Sequence, residues 1–139
     1  MIFKNTHQVE IGYAEEIEAT YMIFKKQVNE DDFIECHQYL IDMLNSNKFI
    51  TGKHLVDTTN LKVITSHSRK WVAANVVPIM EKTATDKALI AVVLGHNAFT
   101  DFGAEHIDAK YNSSVHIHFF SQIGDAKMWL APAFEQAAI

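Results

Sequence analysis

A chain of 139 residues, 48% apolar and 21% charged, has the composition of one globular domain with a sizeable core. Its formal net charge of −5 disfavours binding to nucleic acids and to anionic membranes, because both need a basic surface. The single cysteine, Cys36, excludes an intrachain disulfide, and its apolar helical context predicts a buried core residue. No apolar run approaches the ~20 residues of a membrane span, and the first residues lack a signal-peptide pattern. We therefore expect a soluble, cytoplasmic protein without stable membrane insertion.

The first third of the chain predicts a hairpin followed by a helix. Alternating apolar residues at 9–14 and 17–24 indicate two antiparallel strands, with Ile2 and Phe3 as a short edge piece. Asn29 is the expected N-cap of the first helix, and three acidic residues follow it where the helix dipole favours them. The helix should run to about Asn47. Its buried stripe is predicted to be Phe33, Cys36, Leu40 and Leu44.

The middle of the chain predicts a crossover, in which a strand at 53–57 is followed by a polar loop and a second helix from Ser66. Pro78 should kink that helix or end its first half, because proline removes a backbone hydrogen bond. The uninterrupted apolar run Ala88–Leu94 is typical of a central parallel strand that is covered on both faces. The predicted apolar face of the second helix consists of Trp71, Val72, Ala74, Val76, Ile79 and Met80.

The last third predicts a weaker helix at 100–110, an alternating strand at Val115–Phe120 and a final helix capped by Ser121. The order ββαβαβαβα predicts a single α/β domain spanning 1–139, with a mixed, mostly parallel sheet covered by helices. The buried side of the final helix is predicted to be Ala126, Trp129, Leu130 and Phe134.

Two stretches resemble a known family. LVDTTNLKVITS, at 55–66, resembles the STAS signature of a strand ending in Asp, a short turn and a hydroxyl residue that opens the next helix. VHIHFFSQIGDAKMWL, at 115–130, is similar to the closing strand and helix of a mostly uncharacterised bacterial SpoIIAA-like family. The resemblance covers about 9–132 and implies a SpoIIAA-like fold, shared with anti-sigma-factor antagonists and CRAL-TRIO lipid carriers.

The resemblance implies a non-catalytic regulatory or protein-interaction module. Its expected partner is another protein or a second copy of the chain in a homodimer. Ser66 occupies the place of the serine that is phosphorylated in the antagonist branch, and Ser68 is the second candidate. The sequence departs from that branch at Thr65, where an Asp is usual, and at 67–68, where Ser-Gly is usual. The lipid carriers imply an alternative function, the binding of a small apolar or lipid-like ligand.

The start of the second helix is also a candidate anion site. If Ser66 is the cap, Arg69 and Lys70 lie in the first turn, where positive charge opposes the helix dipole. A bound anion or a phosphate on Ser66 would remove that conflict. In the alternative interpretation, both side chains extend into water.

Polar residues follow three predicted strands, and the carboxyl ends of parallel strands meet at one edge of a sheet. The first of these strands ends at Asp57 and is followed by Thr58 and Thr59, while 95–97 follow the second strand and 121–122 the third. They form a candidate binding loop, although their residue types are equally typical of turns and helix caps.

A third hypothesis is a metal-dependent enzyme. His116 and His118 should point the same way from one strand, and a third ligand would have to come from His96 or another loop residue. In the alternative interpretation, the two histidines belong to a partly covered strand face. No catalytic motif is present and no cofactor is expected. The candidates for an apolar pocket are Trp71, His96, Phe99 and Phe102.

Overall fold

One mixed sheet organises the residues that the computed structural model describes, which are 1–46, 52–95, 110–112 and 114–132. Its order is β1-β2-β3-β4-β5-β7-β6, so that β4 lies in the middle. The four strands β3, β4, β5 and β7 are parallel, and antiparallel neighbours join them at both margins. This confirms the predicted α/β class. The strands are β1 (Ile2–Asn5), β2 (Val9–Ala14), β3 (Ala19–Phe24), β4 (Lys53–Thr58), β5 (Ala88–Leu94), β6 (Lys110–Asn112) and β7 (Val115–Phe120).

Helices cover both faces of the sheet. The described helices are α1 (Glu30–Asn45), α2 (Ser66–Asn75), α3 (Val77–Thr83) and α4 (Ile123–Leu130). The larger core lies between α1, α3 and one face, where Val56 and Ile90 point. The smaller core lies between α4 and the opposite face, which carries Leu55 and Ala91. In the described part of the chain, no helix is long and apolar enough to cross a bilayer.

The central strands explain why both faces need a cover. Neighbouring residues of β4 and β5 point to opposite faces, yet Leu55, Val56, Ile90 and Ala91 are all buried. The prediction of Ala88–Leu94 as a central strand is therefore confirmed.

The first helix follows its sequence signals closely. The side chain of Asn29 accepts a hydrogen bond from the backbone N–H of Asp32 at 2.8 Å, so Asn29 is the N-cap as predicted. Cys36 is buried in the stripe, also as predicted, and burial raises the pKa of its thiol. The helix ends at Asn45 with Ser46 as C-cap, slightly before the predicted end.

The second predicted helix is two helices. The break lies at Val76, and Pro78 stands in the first turn of α3, where its missing N–H costs no intrahelical bond. This confirms the predicted effect of Pro78. The predicted apolar face needs correction, because Ala74 is exposed and Val77 is buried. The single helical periodicity on which that face was based is interrupted at Val76.

Three other boundaries differ from the prediction. Strand β3 begins at Ala19 because 15–18 form a turn, in which Glu18 has a φ of 52°. The cap of α4 is Gln122, not Ser121. Lys110 belongs to β6, a strand that was not predicted. The rest of the predicted helix at 100–110, like Phe134, lies outside the described residues.

A buried polar pair lies on the sheet face that α1 and α3 cover. Thr20 Oγ1 and His54 Nδ1 are 2.5 Å apart on neighbouring strands, and both residues are buried. His54 Nε2 has no hydrogen-bond partner among the described residues. Burial lowers the pKa of His54 from 6.5 to about 4.

We expect His54 to make the protein acid-sensitive. Between pH 6.5 and about 4 the unfolded chain protonates this histidine and the folded chain does not. The free energy of unfolding should therefore fall as the pH falls through that range, by up to ~3 kcal/mol for this group. The double variant Thr20→Val, His54→Leu removes the pair and should show a shallower decline in urea unfolding measured from pH 7 to 4.5. An equal slope in both proteins would contradict this assignment.

Candidate functional site

A cavity of about 150 Å³ lies between the sheet and the three helices of the larger core. Strands β4, β5 and β7 form its floor, and α1, α2 and α3 form its walls. Its lining is predominantly apolar, as is typical of small-molecule sites. The apolar lining residues are Phe33, Val56, Ile64, Val72, Val76, Val77, Met80, Ile90, Val92, Leu94, Ile117 and Phe119.

His37 is the most deeply buried polar residue of the cavity, with only 3% of its surface exposed. Its Nδ1–H donates to the Phe33 carbonyl oxygen at 2.8 Å, one turn earlier in α1. The imidazole packs against the Phe33 ring at 4.4 Å and the Phe24 ring at 5.9 Å, measured between centroids. Burial outweighs the carbonyl bond and lowers the pKa of His37 to about 4, so the ring is neutral at pH 7.

Thr58 and Arg69 are the other polar residues of the lining. The buried Thr58 hydroxyl donates to the Val93 carbonyl oxygen at 2.7 Å. Arg69 is exposed, and its Nη1 donates to the Ile64 carbonyl oxygen at 3.1 Å. The cation therefore lies at the solvent side of the cavity, whereas His37 and Thr58 are enclosed.

The start of α2 is capped by Thr65, which corrects the prediction of Ser66 as the cap. Thr65 Oγ1 accepts from the Ser68 N–H at 3.1 Å and donates to Glu30 Oε1 at 2.5 Å. Ser68 Oγ lies 3.5 Å from the same carboxylate oxygen. Glu30 belongs to the first turn of α1, so α1 supplies the negative charge that the first turn of α2 lacks. We call this contact the α1–α2 junction.

The residues of the predicted switch and anion site differ in exposure. Ser66 is exposed, whereas only 2% of Ser68 is exposed, which makes Ser66 the more accessible of the two. Arg69 and Lys70 are both exposed in α2, but the Arg69 side chain also bonds the Ile64 carbonyl oxygen beside the cavity. The carboxylate of Glu30 reduces the need for an external anion at this helix start.

The predicted binding loop comes together in part. The ends of β4 and β5 are paired at Thr58 and Leu94, and a Cβ on Gly95 would lie 3.0 Å from the Thr59 carbonyl oxygen. The carboxylate of Asp57, however, accepts hydrogen bonds from the Thr59 N–H at 2.9 Å and from its hydroxyl. Asp57 thus stabilises its own turn, as in the alternative interpretation.

The two histidines of β7 lie on the face that α4 covers, opposite the cavity. The His118 ring stacks on Trp129 of α4, with centroids 4.9 Å apart and planes inclined by 21°. His118 is exposed and His116 is partly buried. Within 1–46, 52–95 and 114–132, no three His, Cys, Asp or Glu side chains come together in a way that could hold a metal ion.

The predicted pocket residues do not line this cavity in the described part of the chain. Trp71 packs, partly buried, against the larger core beside the cavity. His96, Phe99 and Phe102 lie outside the described residues.

Sequence reasoning missed His37, which falls one turn after Phe33 on the buried stripe of α1. A histidine at such an apolar position was the signal that could have identified it.

Comparisons of the chain with protein-family models, with curated proteins and with solved structures gave no match. The function of the cavity has to be inferred from its own residues.

We expect Thr65→Ala to lower the free energy of unfolding by ~1–2 kcal/mol, because it removes both the cap of α2 and the bond to Glu30. The neighbouring Ser66→Ala is the matched control, because Ser66 is exposed, and it should change stability by less than ~0.5 kcal/mol. Urea unfolding of the two variants measures the difference. Equal losses in both would show that Thr65 does not hold the junction.

Proposed function

We propose that this protein is a non-catalytic module that binds a small apolar molecule in the cavity between the sheet and α1–α3. The observation that supports this most directly is the predominantly apolar lining, which includes a buried histidine. Burial of an apolar ligand there would remove both its surface and that of the cavity from water.

The volume of the cavity limits the size of the ligand. An engineered, apolar protein cavity of ~150 Å³ is known to bind benzene, whereas pockets for drug-sized ligands measure ~300–1,000 Å³. The cavity of about 150 Å³ in this protein therefore suits a molecule with one small ring or a short branched chain. A long lipid chain would not fit inside it.

A regulatory role would follow from the position of the cavity. Phe33 and His37 line it from α1, and Arg69 and Val72 line it from α2. The same two helices are joined at the α1–α2 junction, where Thr65 bonds Glu30. A ligand that stabilises the packing of both helices would stabilise the junction. A protein partner that contacts the exposed start of α2 would then distinguish the ligand-bound protein from the free one.

Phosphorylation of Ser66 is a second candidate form of regulation, favoured by the exposure of that hydroxyl. A phosphate there would place negative charge next in sequence to Thr65, which already bonds the Glu30 carboxylate. Repulsion between the two anions would weaken the junction. A STAS-like family relationship, a cytoplasmic location and a protein or homodimer partner agree with this regulatory role and are part of the proposal.

Toluene is a suitable first probe of the cavity. At ten times its dissociation constant, toluene should raise the free energy of unfolding by ~1.4 kcal/mol and the Tm by a few degrees. Val72→Phe should abolish the shift by filling the cavity. Val63→Phe adds the same volume at a residue that is 63% exposed outside the lining, and it should keep the shift. Absence of binding to the wild type, or an equal shift in both variants, would contradict the proposal.

A further inference from the structure

The two buried polar residues of the cavity, His37 and Thr58, already donate their hydrogen bonds to backbone carbonyl oxygens. His37 donates its Nδ1–H to the Phe33 carbonyl oxygen, and a neutral imidazole then has an acceptor at Nε2. No described residue forms a hydrogen bond to that nitrogen. Because the ring lines the cavity and is 3% exposed, Nε2 is the polar atom that it can offer to a bound molecule.

Thr58 offers the same chemistry. Its hydroxyl proton is directed to the Val93 carbonyl oxygen at 2.7 Å, and the oxygen retains capacity only as an acceptor. Thr58 is 4% exposed and lines the cavity together with His37. Both enclosed polar residues can therefore receive a hydrogen bond, and neither has a proton left to give.

We propose that the cavity selects a small phenol or apolar alcohol whose hydroxyl donates to Nε2 of His37. This inference rests on the proposed binding function and names the class of its ligand. A hydrocarbon of the same size leaves Nε2 without a partner, and a ketone or carboxylate brings a second acceptor to it. A phenol satisfies the nitrogen and fills the remaining space with its ring.

The aromatic surroundings favour a ring over a chain. Phe33 and Phe119 line the cavity from opposite layers, the helix and the sheet. Phe33 already packs against His37 with an interplanar angle of 45°, and a third ring can pack against both in an offset or edge-to-face arrangement.

Arg69 is the charged side chain of the described lining, and it favours a different ligand class. It is exposed, so its charge lies at the solvent side of the cavity. A carboxylate ligand would be held there rather than at His37. Benzoate is therefore included in the test, and a preference for benzoate over phenol would overturn the inference.

The test compares phenol, toluene and benzoate by isothermal titration calorimetry on the full chain at pH 7. The decisive quantity is the ratio of the toluene to the phenol dissociation constant, compared between wild type and His37→Leu. This ratio should fall by about tenfold in His37→Leu, because the variant leaves the phenol hydroxyl unpaired. His7→Leu removes an exposed histidine outside the lining and should leave the ratio unchanged.

A measurement on the wild type covers the case in which His37→Leu does not fold. Nitrogen-15 NMR of the imidazoles should identify His37 as the Nδ1–H tautomer, and phenol, but not toluene, should shift its Nε2 resonance. An Nε2–H tautomer, or equal shifts with both ligands, would overturn the choice of ligand class.

If toluene and phenol both bind and His37→Leu does not alter the ratio of their dissociation constants, this inference fails and the proposed function stands. If neither binds, both fail.

Discussion

The structure depends on the need to cover two apolar faces of the same strands. Leu55 and Val56 are neighbours in β4, they point in opposite directions, and both are buried. Helix α4 covers one face, and three helices from two separate segments cover the other. Protein interiors are close-packed, and voids larger than a water molecule are few in a domain. The cavity lies where these three helices meet.

Polar groups within this apolar arrangement are held by local partners. Thr58 bonds Val93, Asp57 bonds Thr59 and Thr65 bonds Glu30. Such satisfied groups fix the geometry around the cavity without offering a proton to a ligand. His37 differs, because a single carbonyl bond leaves one of its ring nitrogens for other partners. The hydrogen-bonding chemistry of the cavity thus depends mainly on one atom, Nε2 of His37.

Features that depend on neighbours in sequence were predictable, and features that depend on distant residues were not. The Asn29 cap was predicted correctly because it bonds Asp32, only three residues later. The strand Ala88–Leu94 was also predicted correctly, because its continuous apolar run is visible in the sequence alone. The cap of α2 was assigned one residue too late, since Thr65 is also selected by Glu30, 35 residues earlier. An apolar pocket was predicted, but the residues that line the cavity were missed for the same reason. Its lining comes from six elements, and no local pattern predicts how they fit.

The outer strands of the described sheet have a consequence for self-association. Both β1 and β6 are short, with four and three residues, and the pairing of each with its neighbour shifts register within the strand. An irregular, short margin presents a poor template for a further strand, which is how many natural proteins resist aggregation. Pairing of a strand from a second molecule with β1 or β6 is therefore disfavoured. Since fibrils grow by such pairing between molecules, the backbone geometry of these two strands also disfavours fibril formation.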